Sequence, residues 1–317
     1  MLDLRPRPTA QLRRMLDRYE EHIIVAVGAQ NPLYARMVEA AGFDAVYVPG
    51  SCTSMERIGW PDVNLITATE MVSNARYIAS VVSRPVIADA DNGYGNAINV
   101  MRTVRDFIRA GVAAIHIEDQ VMPKRCGHLR GKLLVSKEEM VGKIKAAKKV
   151  IGEEDPDFVL IARTDARNAV GGGMDEVIER LKAYAEAGAD VVFPDALLSR
   201  EEVERVVREV EAPMLYDVLG LSPRLPIEEL QAMGVAIVIF PFASFLPAVT
   251  AVWDLLQDLR KRGTQALVEL EERLREHPLG NLRAVFDFTG YKQIQAYERE
   301  FLPPEEVRLR YERSFGL

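Results

Sequence analysis

The chain has 317 residues, 48% apolar and 27% charged, an ordinary composition for a water-soluble enzyme with a sizeable core. Its formal charge of −7 leaves no basic excess to neutralise phosphates, which excludes non-specific nucleic-acid binding but not a local basic pocket. Two cysteines are too few for a disulfide framework, no run is long and apolar enough to cross a bilayer, and the first 21 residues carry no secretory signal, so the cytoplasm is the default expectation.

A leading helix is predicted over residues 9–20. Short, β-branched, nearly continuous apolar runs follow at 23–27, 44–48, 85–89, 112–117, 158–162, 189–193, 213–216 and 235–240. Such runs read as strands buried on both faces, as in a parallel sheet. Four of them follow a helix-ending glycine: Gly42, Gly111, Gly188 and Gly234. Capping boxes at Thr67 with Glu70 and at Ser136 with Glu139 mark helix starts between strands. Strict alternation of eight strands with helices predicts an α/β chain folded as a (β/α)8 barrel of the TIM type, with a doubly wound open sheet as the alternative. The barrel and its leading helix are assigned to 1–262. Residues 263–317 read as a helical arm whose Phe286, Phe288, Tyr291, Tyr297 and Phe301 call for burial against the barrel or a neighbouring subunit.

The active site of such a barrel lies at the C-terminal strand ends. Here those ends carry Tyr47 to Ser51, Asp89 and Asp91, Glu118 and Asp119, Arg163 and Asp165, Asp195, and Asp217. Packing does not ask for charges at almost every strand end. A divalent cation would relieve the acids, and Mg2+ suits carboxylates and water. Asp89 and Asp91 also fit turn chemistry, and Glu118 and Arg163 could simply pair with one another. The loop after the fourth strand places Cys126 beside Lys124, Arg125 and His128, cationic neighbours expected to lower the thiol pKa and make it a proton donor or nucleophile. Cys52 lacks such neighbours and reads as structural. His22 and His277 have no context, and His116 reads as a satisfied core histidine.

Residues 124–128 (Lys-Arg-Cys-Gly-His), together with Asp89 and Asp91, residues 116–120 around Glu118, and residues 162–166 around Arg163, resemble the isocitrate lyase / phosphoenolpyruvate mutase superfamily. Within it the sequence is most similar to the 2-methylisocitrate and 2,3-dimethylmalate lyases. The resemblance implies a Mg2+ enzyme (Mn2+ as substitute) that cleaves a carbon–carbon bond of a 2-hydroxy di- or tricarboxylate, releasing pyruvate or a related 2-oxoacid. It implies a homotetramer built from dimers that exchange the eighth helix, a small carboxylate as the partner, and neither nucleic acid nor membrane. It places Asp89 closest to the metal, with Asp62, Asp91 and Glu118 acting through water. Gly50 and Ser51 hold the 2-oxoacid end, and Tyr47 and Arg163 lie near the substrate hydroxyl. Cys126 protonates the departing carbanion with Lys124 among the catalytic groups, while Gly127 and His128 face a substrate carboxylate. The Cys126 loop is expected to close as a lid.

Three departures from the family pattern stand out. Pro49 replaces a serine, Asp195 a glutamate and Asp217 an asparagine, the last two facing the substrate. The loop at 218–226 is short and lacks a carboxylate-holding stretch; Arg224 is either a substitute carboxylate ligand or a solvated surface charge. Oxaloacetate hydrolysis or phosphonate chemistry on the same scaffold is the competing activity, and a non-catalytic metal- or acid-binding protein the third reading. The intact thiol loop weighs against the mutases and Pro241 against the hydrolases.

Overall fold

The computed structural model describes residues 7–312. Eight parallel strands form one sheet: β1 (Ile24–Gly28), β2 (Ala45–Val48), β3 (Val86–Asp89), β4 (Ala114–Glu118), β5 (Val159–Thr164), β6 (Val191–Pro194), β7 (Leu215–Asp217) and β8 (Ile237–Phe240). The order β6-β5-β4-β3-β2-β1-β8-β7 runs through seven full pairings. The remaining seam is bridged by Val192 and Met214, with the Val192 amide donating to the Pro213 carbonyl at 2.9 Å. Helices connect the strands, giving a nearly closed (β/α)8 barrel. Every expected strand is present. Four of the apolar runs start two residues before their strands, because the chain is already buried as it leaves the preceding turn. The leading helix ends at Leu16 rather than at residue 20.

Side chains alternate between the two faces of a strand. One parity faces the helices and joins a large outer layer that includes Val46, Ala88, Ile115, Leu160 and Val192. The other faces the barrel axis, where Ala45, Ile87, Ala114, Ile161, Val191, Leu215 and Ile237 pack together, with Leu12 and Leu16 of the leading helix in the same cluster. Continuing that inward parity toward the strand ends gives Tyr47, Asp89, His116, Glu118, Arg163, Phe193, Asp195 and Asp217. The periodicity that builds the apolar core thus delivers the polar groups to one mouth.

The chain divides into two compact units, residues 1–246 and 247–317. Helix Phe245–Arg262 runs across that boundary, and Thr264–Leu274, Leu282–Phe288, Tyr291–Phe301 and Pro304–Glu312 follow. Within the second unit Phe286 stacks near Tyr291 and Tyr297 near Phe301. Phe301 nevertheless remains 71% exposed and Trp253 63% exposed in the single chain. No helix among the described residues is long and apolar enough to cross a membrane.

Candidate active site

Four acids and one ammonium form one side of the barrel mouth. Lys124, buried, reaches from the loop after β4 to Asp62 Oδ1 at 2.5 Å and Asp91 Oδ1 at 2.7 Å. Burial works against its charge, but Asp91, Asp62, Glu118 and Asp89 outweigh it and hold the ammonium well above its usual pKa. Asp89 is buried and accepts the amides of Asp91 (2.8 Å) and Gly50 (3.2 Å). A Cβ at Gly50 would lie 2.5 Å from Asp89 Oδ2, so glycine is what lets the backbone approach this carboxylate. Burial raises the pKa of Asp89, pushes Asp91 up to about 6, and lifts Glu118 well above the usual range. Glu118 Oε1 has no hydrogen-bond partner among the described residues. One ammonium among four carboxylates, with such an orphaned oxygen, leaves a demand for positive charge that a hard divalent cation suits.

Tyr47 and His116 stand beside this cluster. Tyr47 Oη lies 2.8 Å from His116 Nε2, and His116 Nδ1 lies 3.7 Å from Asp89 Oδ1. Burial, then Arg163 and Lys124, keeps the imidazole neutral, and burial followed by Asp89 keeps the phenol protonated. His116 is fully buried as the sequence indicated, yet it belongs to the site rather than to the inert core. Its strand register, opposite Asp89 and two residues before Glu118, is the signal that could have revealed it.

Arg163 forms the opposite wall. Its guanidinium grips Asp165 in bidentate fashion at 3.0 and 3.1 Å, lies 3.4 Å from both Glu118 and Asp195, and packs over the Phe193 ring. Asp165, the buried Lys132 that neighbours it at 3.6 Å, and Phe193 are functional neighbours that the sequence reading left without a role. Behind them Asp119 accepts from Thr164, Tyr184 and Arg180, fixing the ends of β4 and β5.

The loop carrying Cys126 lies over this mouth. The Cys126 amide donates to the Asp62 carbonyl at 3.0 Å, and the Gly127 carbonyl accepts from Lys132 Nζ and Asn168 Nδ2. A Cβ at Gly127 would sit 1.9 Å from Asp195 Oδ2 and 2.3 Å from Arg163 Nη2, so only glycine fits there. Tyr47, Ser51, Asp89, Cys126, Arg163 and Asp217 line a small cavity of about 30 Å3 that is partly open to solvent.

One expectation about this loop needs correction. The Cys126 thiol is not acidified by cationic neighbours. Burial, then the Asp62 carboxylate, raises its pKa above the ordinary 9.0, against opposing hydrogen bonds from Ser51 and the His128 amide. The ammonium of Lys124 is spent on Asp62 and Asp91, and His128 is spent on Asp217, with Nε2 and Oδ2 3.3 Å apart. Arg224 is exposed and does not line the site, so it is not the cation beside Asp217. Cys52 is buried, its thiol pKa pushed up by burial, with its sulfur 3.5 Å from the Pro241 carbonyl, as a structural thiol should be. Of the expected groups, Gly50, Ser51, Asp62, Asp89, Cys126, Gly127, His128, Arg163, Asp195 and Asp217 share one cavity with Tyr47. Asp91, Glu118 and Lys124 stand directly behind it. The four acids expected at the metal are held apart around Lys124. Among the described residues the tightest trio of metal-competent side chains is instead His128, Asp195 and Asp217, with ligand atoms within 4.8 Å of one another.

Comparison with known proteins agrees with this architecture. The family model described as Phosphoenolpyruvate phosphomutase matches residues 12–260. The chain is 47% identical over 259 residues to a 2,3-dimethylmalate lyase of Eubacterium barkeri, covering 81% of this chain and 88% of that protein. It is 44% identical over 261 residues to a 2-methylisocitrate lyase of Aeropyrum pernix, covering 82% of each. A crystal structure of 2,3-dimethylmalate lyase superposes with a TM-score of 0.88 at 35% identity, covering 98% of this chain and 99% of that one. The chain therefore belongs to the phosphoenolpyruvate mutase / isocitrate lyase superfamily and is an enzyme of its oxo-acid lyase type.

Proposed function

We propose that this enzyme is a Mg2+-dependent lyase that cleaves a small 2-hydroxy dicarboxylate of the 2-alkylmalate kind, such as 2,3-dimethylmalate, into pyruvate or a close 2-oxoacid and a second carboxylic acid. The observation that carries the reading is the convergence of Tyr47, backed by His116, and a protonated thiol, Cys126, on one cavity beside Asp89 and Arg163. Asp89 would hold the metal most directly, with Asp62, Asp91 and Glu118 around it; Mn2+ would substitute. When bound, Mg2+ supplies positive charge to the 2-oxoacid end of the substrate.

Gly50 and Ser51 present donors to that end. The neutral Tyr47 cannot be a standing base, but it can take the substrate hydroxyl proton while passing its own to His116 Nε2. The always-charged Arg163 stabilises the alkoxide. As the C2–C3 bond breaks, its electron pair stays on the departing fragment, whose α-carbon takes the proton of the Cys126 thiol. The Gly127 amide and Arg163 neutralise that fragment's carboxylate. A raised thiol pKa serves this role, because a proton donor must still hold its proton at neutral pH. Lys124 acts as a positioning residue that keeps Asp62 and Asp91 in place. Asp195 and Asp217 border the far end of the cavity, where an acid repels a third carboxylate. The enzyme should thus favour the dicarboxylate over 2-methylisocitrate when Mg2+ is the only metal. Coupled detection of pyruvate release from the two acids tests this, and release from neither would refute it.

The assembly is proposed on the same footing: a homotetramer, a dimer of dimers that exchange helix Phe245–Arg262. That helix has no buried residue and exposes Leu246, Val249, Trp253 and Leu256 at helical spacing. The barrel carries an apolar groove of about 420 Å3 lined by Val27, Tyr34, Met37, Phe43, Ile227 and Phe240. Val249→Glu with Trp253→Glu should convert tetramers to smaller species in light scattering. An unchanged mass would exclude the exchange.

A further inference from the structure

The imidazole of His128 is used on both sides. Nε2 faces Asp217 Oδ2 at the end of β7, and the Leu221 amide, in the loop that follows β7, donates to Nδ1 at 3.3 Å. Because Nδ1 accepts, the proton of the neutral ring sits on Nε2 and points to Asp217. Gly220, with φ +53°, lies flush against the same ring: a Cβ there would be 2.6 Å from Nδ1. On the other side of Cys126 the loop is tied at its root, where Gln120 exchanges two hydrogen bonds with the backbone of Arg125 (2.7 and 2.9 Å). Besides the Cys126 and Gly127 backbone contacts, the His128 fastening joins the tip to the loop after a different strand. With these fastenings in place the cavity under the loop is small, about 30 Å3.

We propose that His128 is a positioning residue: clasped between Asp217 and the Leu221 amide, it latches the Cys126 loop shut and sets the thiol over the site, instead of contacting the substrate itself. The aspartate at position 217 then has a task beyond specificity. As an anion it accepts a charge-assisted hydrogen bond, which holds the loop more firmly than a neutral amide. The same trio could be taken for a second metal site, but ligation through Nε2 needs that nitrogen free of its proton, and the Leu221 amide occupies the nitrogen that would have to receive it. The latch stands independently of the lyase reading.

The test is alkylation of Cys126 by iodoacetamide in the metal-free full-length enzyme, where the Cys52 thiol is a buried internal control. Asp217→Ala, His128→Ala and Gly220→Ala should each speed alkylation about tenfold or more, the population shift that accompanies loss of one charge-assisted hydrogen bond. Asp217→Asn, which still offers an acceptor to Nε2, should restore most of the protection. Circular dichroism and thermal unfolding identify any variant that fails to fold, and Gly220→Ala reaches the latch without altering charge. Rates equal to the parent's in all three folded variants would overturn the proposal. So would Zn2+ binding that is lost in Asp217→Asn and retained in Asp89→Ala, because that result assigns the trio to a metal. Failure of the lyase reading shows separately, as absence of pyruvate release with an intact alkylation pattern.

Discussion

The two halves of the barrel mouth differ in how their buried charges are balanced. Around Asp62, Asp89, Asp91 and Glu118 the Lys124 ammonium, with Arg163 3.4 Å from Glu118, faces four carboxylates, and among the described residues Glu118 Oε1 has no hydrogen-bond partner. Around Arg163, His128, Asp195 and Asp217 the donors are already committed: the guanidinium grips Asp165 and lies near Asp195, and the imidazole bridges Asp217 and Leu221. Buried charge is tolerated when paired and costly when not. The first half is thus poised to take up a cation. In the second the cations already face acids of their own.

The largest effect should come from breaking the first half. Stripping the metal with EDTA should abolish activity, and Mg2+ or Mn2+ should restore it. Asp89→Ala should lose metal binding more completely than Asp91→Ala by equilibrium dialysis, and equal losses would remove Asp89 from its privileged place. Next is the thiol that links the halves. Cys126→Ser should lower kcat by about 10²–10⁴, the usual loss for a missing general acid. Cys52→Ser should be close to neutral, and similar behaviour of the two would undo the assignment.

A subtler measurement sharpens the account of that thiol. Its pKa is raised, so the protonated, donating form persists at neutral pH and is lost only as pH climbs past the raised value. Thiolate absorbance in a metal-free Cys52→Ser sample should therefore titrate above 9.0, and a midpoint below that value would favour a thiolate nucleophile. The smallest effect concerns the second half. Asp217→Asn should improve kcat/KM for 2-methylisocitrate relative to 2,3-dimethylmalate, and an unchanged ratio would show that this charge does not select between them.

The barrel was legible in the sequence because β-branched runs and helix-ending glycines are local signals. The identity of the mouth residues was legible because strand ends are countable. Their partners were not. Lys124 reads as a neighbour of Cys126, yet its long side chain carries the ammonium to Asp62, 62 residues away in sequence. His128 likewise reaches Asp217 across 89 residues. Both contacts reverse the expected acidification of the thiol, and neither has a local signature. His116 is buried as a core histidine should be, and the inward parity it shares with Glu118 puts it against Tyr47, a contact without a local signature. Of the two readings open for Arg224, the loop selects the solvated surface charge.

The account stands most directly on turnover itself. With Mg2+ present, 2,3-dimethylmalate should be converted to pyruvate by the parent enzyme, while Cys126→Ser and Asp89→Ala, both folded, should be nearly inactive. Pyruvate release at parental rates in folded Cys126→Ser would contradict the joining of the two halves through this thiol.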